Sequence, residues 1–151
     1  MKTKIKWSEI EKSCFYIADR LKIIRPDIIV AISRGGLIPS RLVSKYLNIR
    51  RIYSLGIESY SDKTNKASKI HTYQSFNKKF PPHNCIAIID DIIDSGNSLK
   101  FAIDKVTNNI IKGNSISIVT CSIHYKDCSI IKPDIFHKAV NKDNWIIYPW
   151  E

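Results

Sequence analysis

Three carboxylates fall within five residues, Asp90, Asp91 and Asp94, and the run Ser95-Gly96-Asn97-Ser98 follows them directly. Like charges crowded this closely need a cation or hydrogen-bond donors to meet them. Magnesium takes hard oxygen ligands, and sugar hydroxyls donate well to carboxylates. Ser95 to Ser98 opens a stretch with helical spacing, so backbone N–H groups are free at its start, the glycine permits close approach, and two hydroxyls can donate. Those are the parts of a phosphate cradle. An acidic end beside a phosphate-seeking end suits a ligand carrying both hydroxyls and a phosphate, such as a ribose 5-phosphate. A lone Asp-Ser-Gly would be only a capped turn. Its position directly behind the apolar run Cys85-Ile86-Ala87-Ile88-Ile89 favours the functional reading. The chain has neither G-x-x-x-x-G-K-[ST] nor G-x-G-x-x-G, the two competing phosphate motifs.

The elements that must hold this run follow from periodicity. Ser8 and Glu11 form an S-x-x-E pattern that predicts a capping box, and Ile10, Cys14, Ile17 and Leu21 recur behind it at helical spacing. Arg25-Pro26-Asp27 ends that helix. Ile28 to Ile32 and Cys85 to Ile89 are continuous apolar runs, which predict buried strands. Leu37 to Leu47 and the stretch holding Leu99, Ala102, Val106 and Ile110 predict helices. Further strands are expected at Arg51 to Ile57 and, after a Gly113-Asn114 turn, at Ser115 to Ile123. Short strands near Asp134 to Val140 and Trp145 to Tyr148 are expected to finish the sheet. Alternating strands and helices imply an α/β domain with a mostly parallel central sheet flanked by helices. Ligands of such sheets sit at the carboxyl ends of the strands, where Ser33–Gly36 and Asp90–Ser98 both lie. Residues 58–83 are polar and lysine-rich without clear period, predicting a loop or hairpin that is functional or mobile.

Composition narrows the class further. With 151 residues, 44% hydrophobic, 25% charged and few Gly or Pro, the chain reads as one globular domain over 1–151. No run approaches the ~20 apolar residues of a membrane helix, and the first residues lack a signal-peptide core, so a cytoplasmic protein is expected. Cys14, Cys85, Cys121 and Cys128 are scattered without metal-ligand spacing, predicting reduced thiols. Lys and Arg total 24 against 14 Asp and Glu, a net charge of +10, which suits either a phosphorylated small molecule or a nucleic acid.

Ile88-Ile89-Asp90-Asp91-Ile92-Ile93-Asp94-Ser95-Gly96-Asn97-Ser98 resembles the phosphoribosyl-pyrophosphate signature of type I phosphoribosyltransferases. Val30-Ala31-Ile32-Ser33-Arg34-Gly35-Gly36 is similar to that family's pyrophosphate loop. Ser59-Tyr60 resembles the opening of the mobile hood of its 6-oxopurine members. Trp145-Ile146-Ile147-Tyr148-Pro149-Trp150-Glu151 is similar to the tail of xanthine-guanine enzymes. The matches run from about residue 28 to 151.

The resemblance implies a magnesium-dependent transfer of 5-phosphoribosyl from phosphoribosyl pyrophosphate to a purine. It places the ribose hydroxyls and metal on Asp90 and Asp91, the 5-phosphate on Ser95, Gly96, Asn97 and Ser98, and the pyrophosphate on Arg34 and Gly35, with Lys66 in the hood nearby. Asp94 becomes the general base at N7. Lys126 would donate to purine O6, Trp145 would stack on the ring, and the Ile146 backbone would reach the 2-position edge. A lysine only donates, so a 6-oxo group is favoured over adenine's 6-amino group. The family also implies a homodimer or homotetramer. A different class is a regulator that uses this fold to bind a nucleotide or phosphoribosyl pyrophosphate together with nucleic acid, suggested by the +10 charge. The sequence disfavours it, since Asp94, Lys126 and Trp145 are all present.

Overall fold

The alternating pattern closes around one six-stranded sheet. The computed structural model describes residues 1–60, 69–80, 85–111, 113 and 115–151. Its elements in chain order are β1 (Lys2–Lys4), α1 (Trp7–Ile24), β2 (Ile28–Ser33), α2 (Leu37–Leu47), β3 (Arg51–Tyr60), β4 (Lys69–Gln74), β5 (Cys85–Ile93), α3 (Asn97–Asn108), β6 (Ser117–Lys126), β7 (Ile135–Val140) and β8 (Trp145–Ile147). The sheet order is β4-β3-β2-β5-β6-β7. Every pairing in it is parallel except β3 with β4, an antiparallel hairpin whose register shifts at Gly56/Ile57. Of the 58–83 segment, the end of β3, β4 and residues 75–80 are described, with Phe80 buried in the core.

Burial on both faces explains why β2 and β5 read as unbroken apolar runs. Ile29, Ala87 and Ile89 pack with Ile10, Cys14, Ile17 and Leu21 of α1 and Val43 of α2. Their sequence neighbours Ile28, Val30, Ile86 and Ile88 pack with Leu99, Ala102 and Val106 of α3 and with Phe80. Alternate residues of a strand point to opposite faces, so one strand feeds both layers. In register, Ile28 lies beside Ile86 and Val30 beside Ile88. Burial of Cys14 raises its thiol pKa to about 12, so that thiol is unreactive and structural.

Two expectations are corrected. The first helix begins at Trp7, and Glu9, not Glu11, reaches back to accept from the Lys6 N–H at 3.0 Å. The capping interaction therefore forms two residues before the expected Ser8–Glu11 box. Second, β8 does not finish the central sheet. It pairs in parallel with β1, a strand too short for its pattern to announce, in a separate two-stranded sheet.

β2 and β5 are neighbours whose chains leave in opposite directions, through α2 to β3 and through α3 to β6. A crevice opens where two such connections diverge at the strands' carboxyl ends.

Candidate functional site

Asp90 and Asp91 sit at that crevice, near the end of β5, each only 8% exposed. Asp90 Oδ1 accepts the Asp91 N–H at 2.9 Å, and Asp91 Oδ1 accepts the Ile92 N–H at 2.7 Å. Burial pushes both carboxyls above the usual aspartate range, and for Asp90 the neighbouring Asp91 charge adds to it. The amide donors act the other way. The loop after β2 closes against this pair. A Cβ on Gly35 would lie 2.3 Å from Asp91 Oδ2, so only glycine lets the two strand ends come this close. The Ser33–Arg34 peptide bond in that loop is cis. Arg34, Gly35 and Asp91 line a cleft of about 1030 Å³, shared with Tyr73 of β4 and with Trp150 and Glu151 of the tail.

The second half of the site begins one turn further on. Gly96 caps α3 at φ 85°, a conformation glycine adopts without steric cost, and its carbonyl accepts the Lys100 N–H at 3.0 Å. Asp90, Asp94, Ser95, Gly96 and Ser98 line a small cavity of about 80 Å³ at this helix start. The segment between β6 and β7 braces it from behind: the Ile130 N–H donates to the Ser95 carbonyl at 3.0 Å, and a Cβ on Gly96 would meet Ser129 Oγ at 2.4 Å. The Asn97 N–H is taken by Ser95 Oγ at 3.3 Å.

Lys126, the last residue of β6, brings its Nζ to 2.9 Å from Asp94 Oδ2. The lysine side chain is almost wholly buried while the carboxylate is mostly exposed, so the pair stands at the mouth of the site with its cation rooted in the sheet. Trp145 is 60% exposed at the start of β8, and neither Trp145 nor Ile146 lines the two cavities just described. The Ile146 side chain is in the core. Because Met1 and Ile5, on either side of β1, take up the Trp145 N–H and the Ile147 carbonyl, the Ile146 backbone groups face the opposite edge of β8. Lys66 lies outside the described residues.

The structure thus joins Arg34 and Gly35 to Asp91, Asp90 to the Asp94–Ser98 cavity, and Lys126 to Asp94. Sequence reading did not single out His124, and it cited Tyr148, Trp150 and Glu151 only as parts of a tail pattern. A lone histidine on a buried strand carries no local signal. Among the described residues, no three His, Cys, Asp or Glu side chains form an all-protein metal cage. Two buried carboxylates do fit magnesium, which keeps waters and shares substrate oxygens rather than requiring a full protein shell.

The chain matches the phosphoribosyl transferase domain over residues 9–151. It is 27% identical over 148 residues to a xanthine-guanine phosphoribosyltransferase of Idiomarina loihiensis, covering 97% of this chain and 85% of that one. Its fold is similar to that of a purine phosphoribosyltransferase from Pyrococcus horikoshii, with a TM-score of 0.87 at 24% identity and coverage of 99% and 94%. It is also similar to a xanthine-guanine-hypoxanthine phosphoribosyltransferase from Helicobacter pylori, with a TM-score of 0.83 at 24% identity and coverage of 100% and 94%.

Proposed function

The chain belongs to the phosphoribosyl transferase domain family, and from that premise we propose that it transfers the 5-phosphoribosyl group of phosphoribosyl pyrophosphate to N9 of a 6-oxopurine. The acceptor is guanine, xanthine or hypoxanthine, and the products are the nucleoside monophosphate and pyrophosphate, a purine-salvage reaction. The relative's xanthine-guanine specificity supports the acceptor class.

One observation carries the reading: Asp94 belongs both to the small cavity at the start of α3 and to the ion pair with Lys126. A purine presents O6 and N7 side by side on one edge. A donor-only ammonium and an acceptor carboxylate 2.9 Å apart complement a carbonyl at C6 and an N7–H. A 6-amino group would face the lysine with two donors and gain nothing from it.

In this reading Ser95, Gly96, Asn97 and Ser98 hold the 5-phosphate through the amides and hydroxyls of the helix start. Asp90 and Asp91 accept from the ribose hydroxyls, and Arg34 with the Gly35 amide meets the pyrophosphate. As the N9–C1 bond forms, the C1–oxygen bond breaks and its electron pair leaves with pyrophosphate. The N7 proton passes to the Asp94 carboxylate. Arg34 opposes the charge gathering on the leaving group. Asp91, with Asp90 beside it, would hold a magnesium ion that neutralises the donor's phosphates. Trp145 supplies a stacking surface, and the Ile146 backbone groups read the 2-position edge. Lys66 is assigned to the pyrophosphate by motif position alone. A homodimer or homotetramer working in the cytoplasm completes the proposal.

The test is incubation with magnesium, phosphoribosyl pyrophosphate and a panel of bases. Guanine, xanthine or hypoxanthine should yield the monophosphate, with adenine and orotate inert. If no base is converted, the reading fails. Salt-dependent binding to nucleic acid without turnover would instead support a regulator, the class the +10 charge brings into view.

A further inference from the structure

Two polar side chains behind the site have no part in the chemistry above. His124 and Tyr148 are 2% and 3% exposed. The Tyr148 hydroxyl donates to the Asp91 backbone carbonyl at 3.0 Å. The same hydroxyl lies 2.7 Å from His124 Nδ1. A hydroxyl has one proton, and a carbonyl can only accept. The tyrosine proton is therefore committed to Asp91, and the second contact must run from the His124 Nδ1–H into the hydroxyl oxygen. Direction is thus settled through the chain of bonds, from β6 through the tail to β5.

The tail also runs past the cleft side of Asp91. Trp150 stacks on Tyr148, with ring centroids 4.7 Å apart and planes 8° from parallel. Trp150 in turn lines the cleft beside Asp91. Asp91 is held from behind at its carbonyl by Tyr148, whose ring is backed by Trp150.

From this the geometry points to Tyr148, oriented by His124, as a positioning residue that sets the attitude of Asp91 toward the sugar donor. The inference rests on the assignment of Asp91 to donor binding, and it adds two residues that the sugar-phosphate motif does not contain. A purely structural pair, satisfying polar groups in the core, would contribute to stability and leave donor affinity alone. A positioning pair acts on the donor and spares the acceptor.

Tyr148→Phe removes one oxygen and keeps the ring stacked on Trp150. The expected result is a KM for phosphoribosyl pyrophosphate raised about 10-fold, with the KM for the purine within about twofold of wild type. His124→Asn keeps a donor near the Nδ1 position and should restore donor KM to within about twofold of wild type, whereas His124→Phe should reproduce the Tyr148→Phe effect. The two histidine variants carry the same comparison with the tyrosine intact, should Tyr148→Phe fail to fold. Calorimetric affinity for magnesium phosphoribosyl pyrophosphate and the melting midpoint are read on each protein. Lower midpoints with unchanged donor affinity would overturn the inference. A wild-type protein that binds the donor but converts no base would sink the transfer reading alone, and donor affinity would still decide the role of Tyr148. A wild-type protein that binds no donor would overturn both.

Discussion

Asp94 carries two relationships at once, facing the phosphate-side cavity and pairing with Lys126. As the proposed general base it matters only once the purine is in place, so its loss should fall on the chemical step. Asp94→Asn keeps the shape and the contact with Lys126 while removing the proton acceptor. The expected outcome is a kcat lower by about 10²- to 10⁴-fold with a donor KM changed by less than about 10-fold. Steady-state kinetics with guanine checks it, and equal losses in kcat and donor affinity would assign Asp94 to binding instead. The nine residues from Asp90 to Ser98 were legible in the sequence because contiguity alone puts their chemistry together. Family resemblance assigned Asp94 and Lys126 separate roles toward the purine, but their pairing was not legible, since they lie 32 positions apart and no local rule connects a loop aspartate to a strand-end lysine.

At the scale of elements, the site exists because two strand ends approach more closely than side chains would allow. Gly35 is the contact point, and a methyl group there would lie 2.3 Å from Asp91 Oδ2. In Gly35→Ala either the loop after β2 or the Asp91 carboxylate must move, and both line the cleft proposed to take the donor. Overpacking of this kind typically costs about 1–3 kcal/mol. The expected outcome is a lower melting midpoint together with at least a 10-fold loss (roughly, from the same range) of donor affinity by calorimetry. A stability loss without an affinity loss would show that the strain is relieved away from the crevice. The glycine pair was visible in the sequence as a tight loop, but its partner was not. Elements were read well where both faces are buried, as in β2 and β5, because continuous apolar runs announce themselves. They were misread at the ends of the chain. β8 has a strand's pattern, yet pattern does not name a partner, and the pairing with β1 depends on where the first helix leaves the chain start.

For the whole molecule, acid sensitivity gives a measurement that reports on the buried network. Burial depresses the pKa of His124 to about 4, against the usual 6.5, with the nearby Lys138 and His137 charges helping and Glu9 opposing. As pH falls below 6.5 the unfolded chain takes up this proton first, so the contribution of His124 is complete above that value and is lost on the way down to 4. The full loss is on the order of 3 kcal/mol. Asp90 and Asp91 work in the opposite sense, because carboxyls raised by burial protonate in the folded state before the unfolded one and so favour folding in acid. The difference between wild type and His124→Asn isolates the histidine. The variant's melting midpoint should gain on that of wild type between pH 7 and pH 4, and parallel curves would show that His124 is not held neutral.

Taken by itself, the sequence was enough to settle the alternation of strands and helices, the contiguity of the acidic and Ser-Gly-Asn-Ser run behind β5 and the basic charge, since each is written in neighbouring residues or in composition. Tertiary structure alone decided that Gly35 touches Asp91, that Lys126 meets Asp94, and that the tail returns to hold Asp91 through Tyr148. Those contacts join segments far apart in the chain. Spacing along a chain reports which face of an element a residue occupies, whereas the neighbour on that face is chosen by how the elements pack.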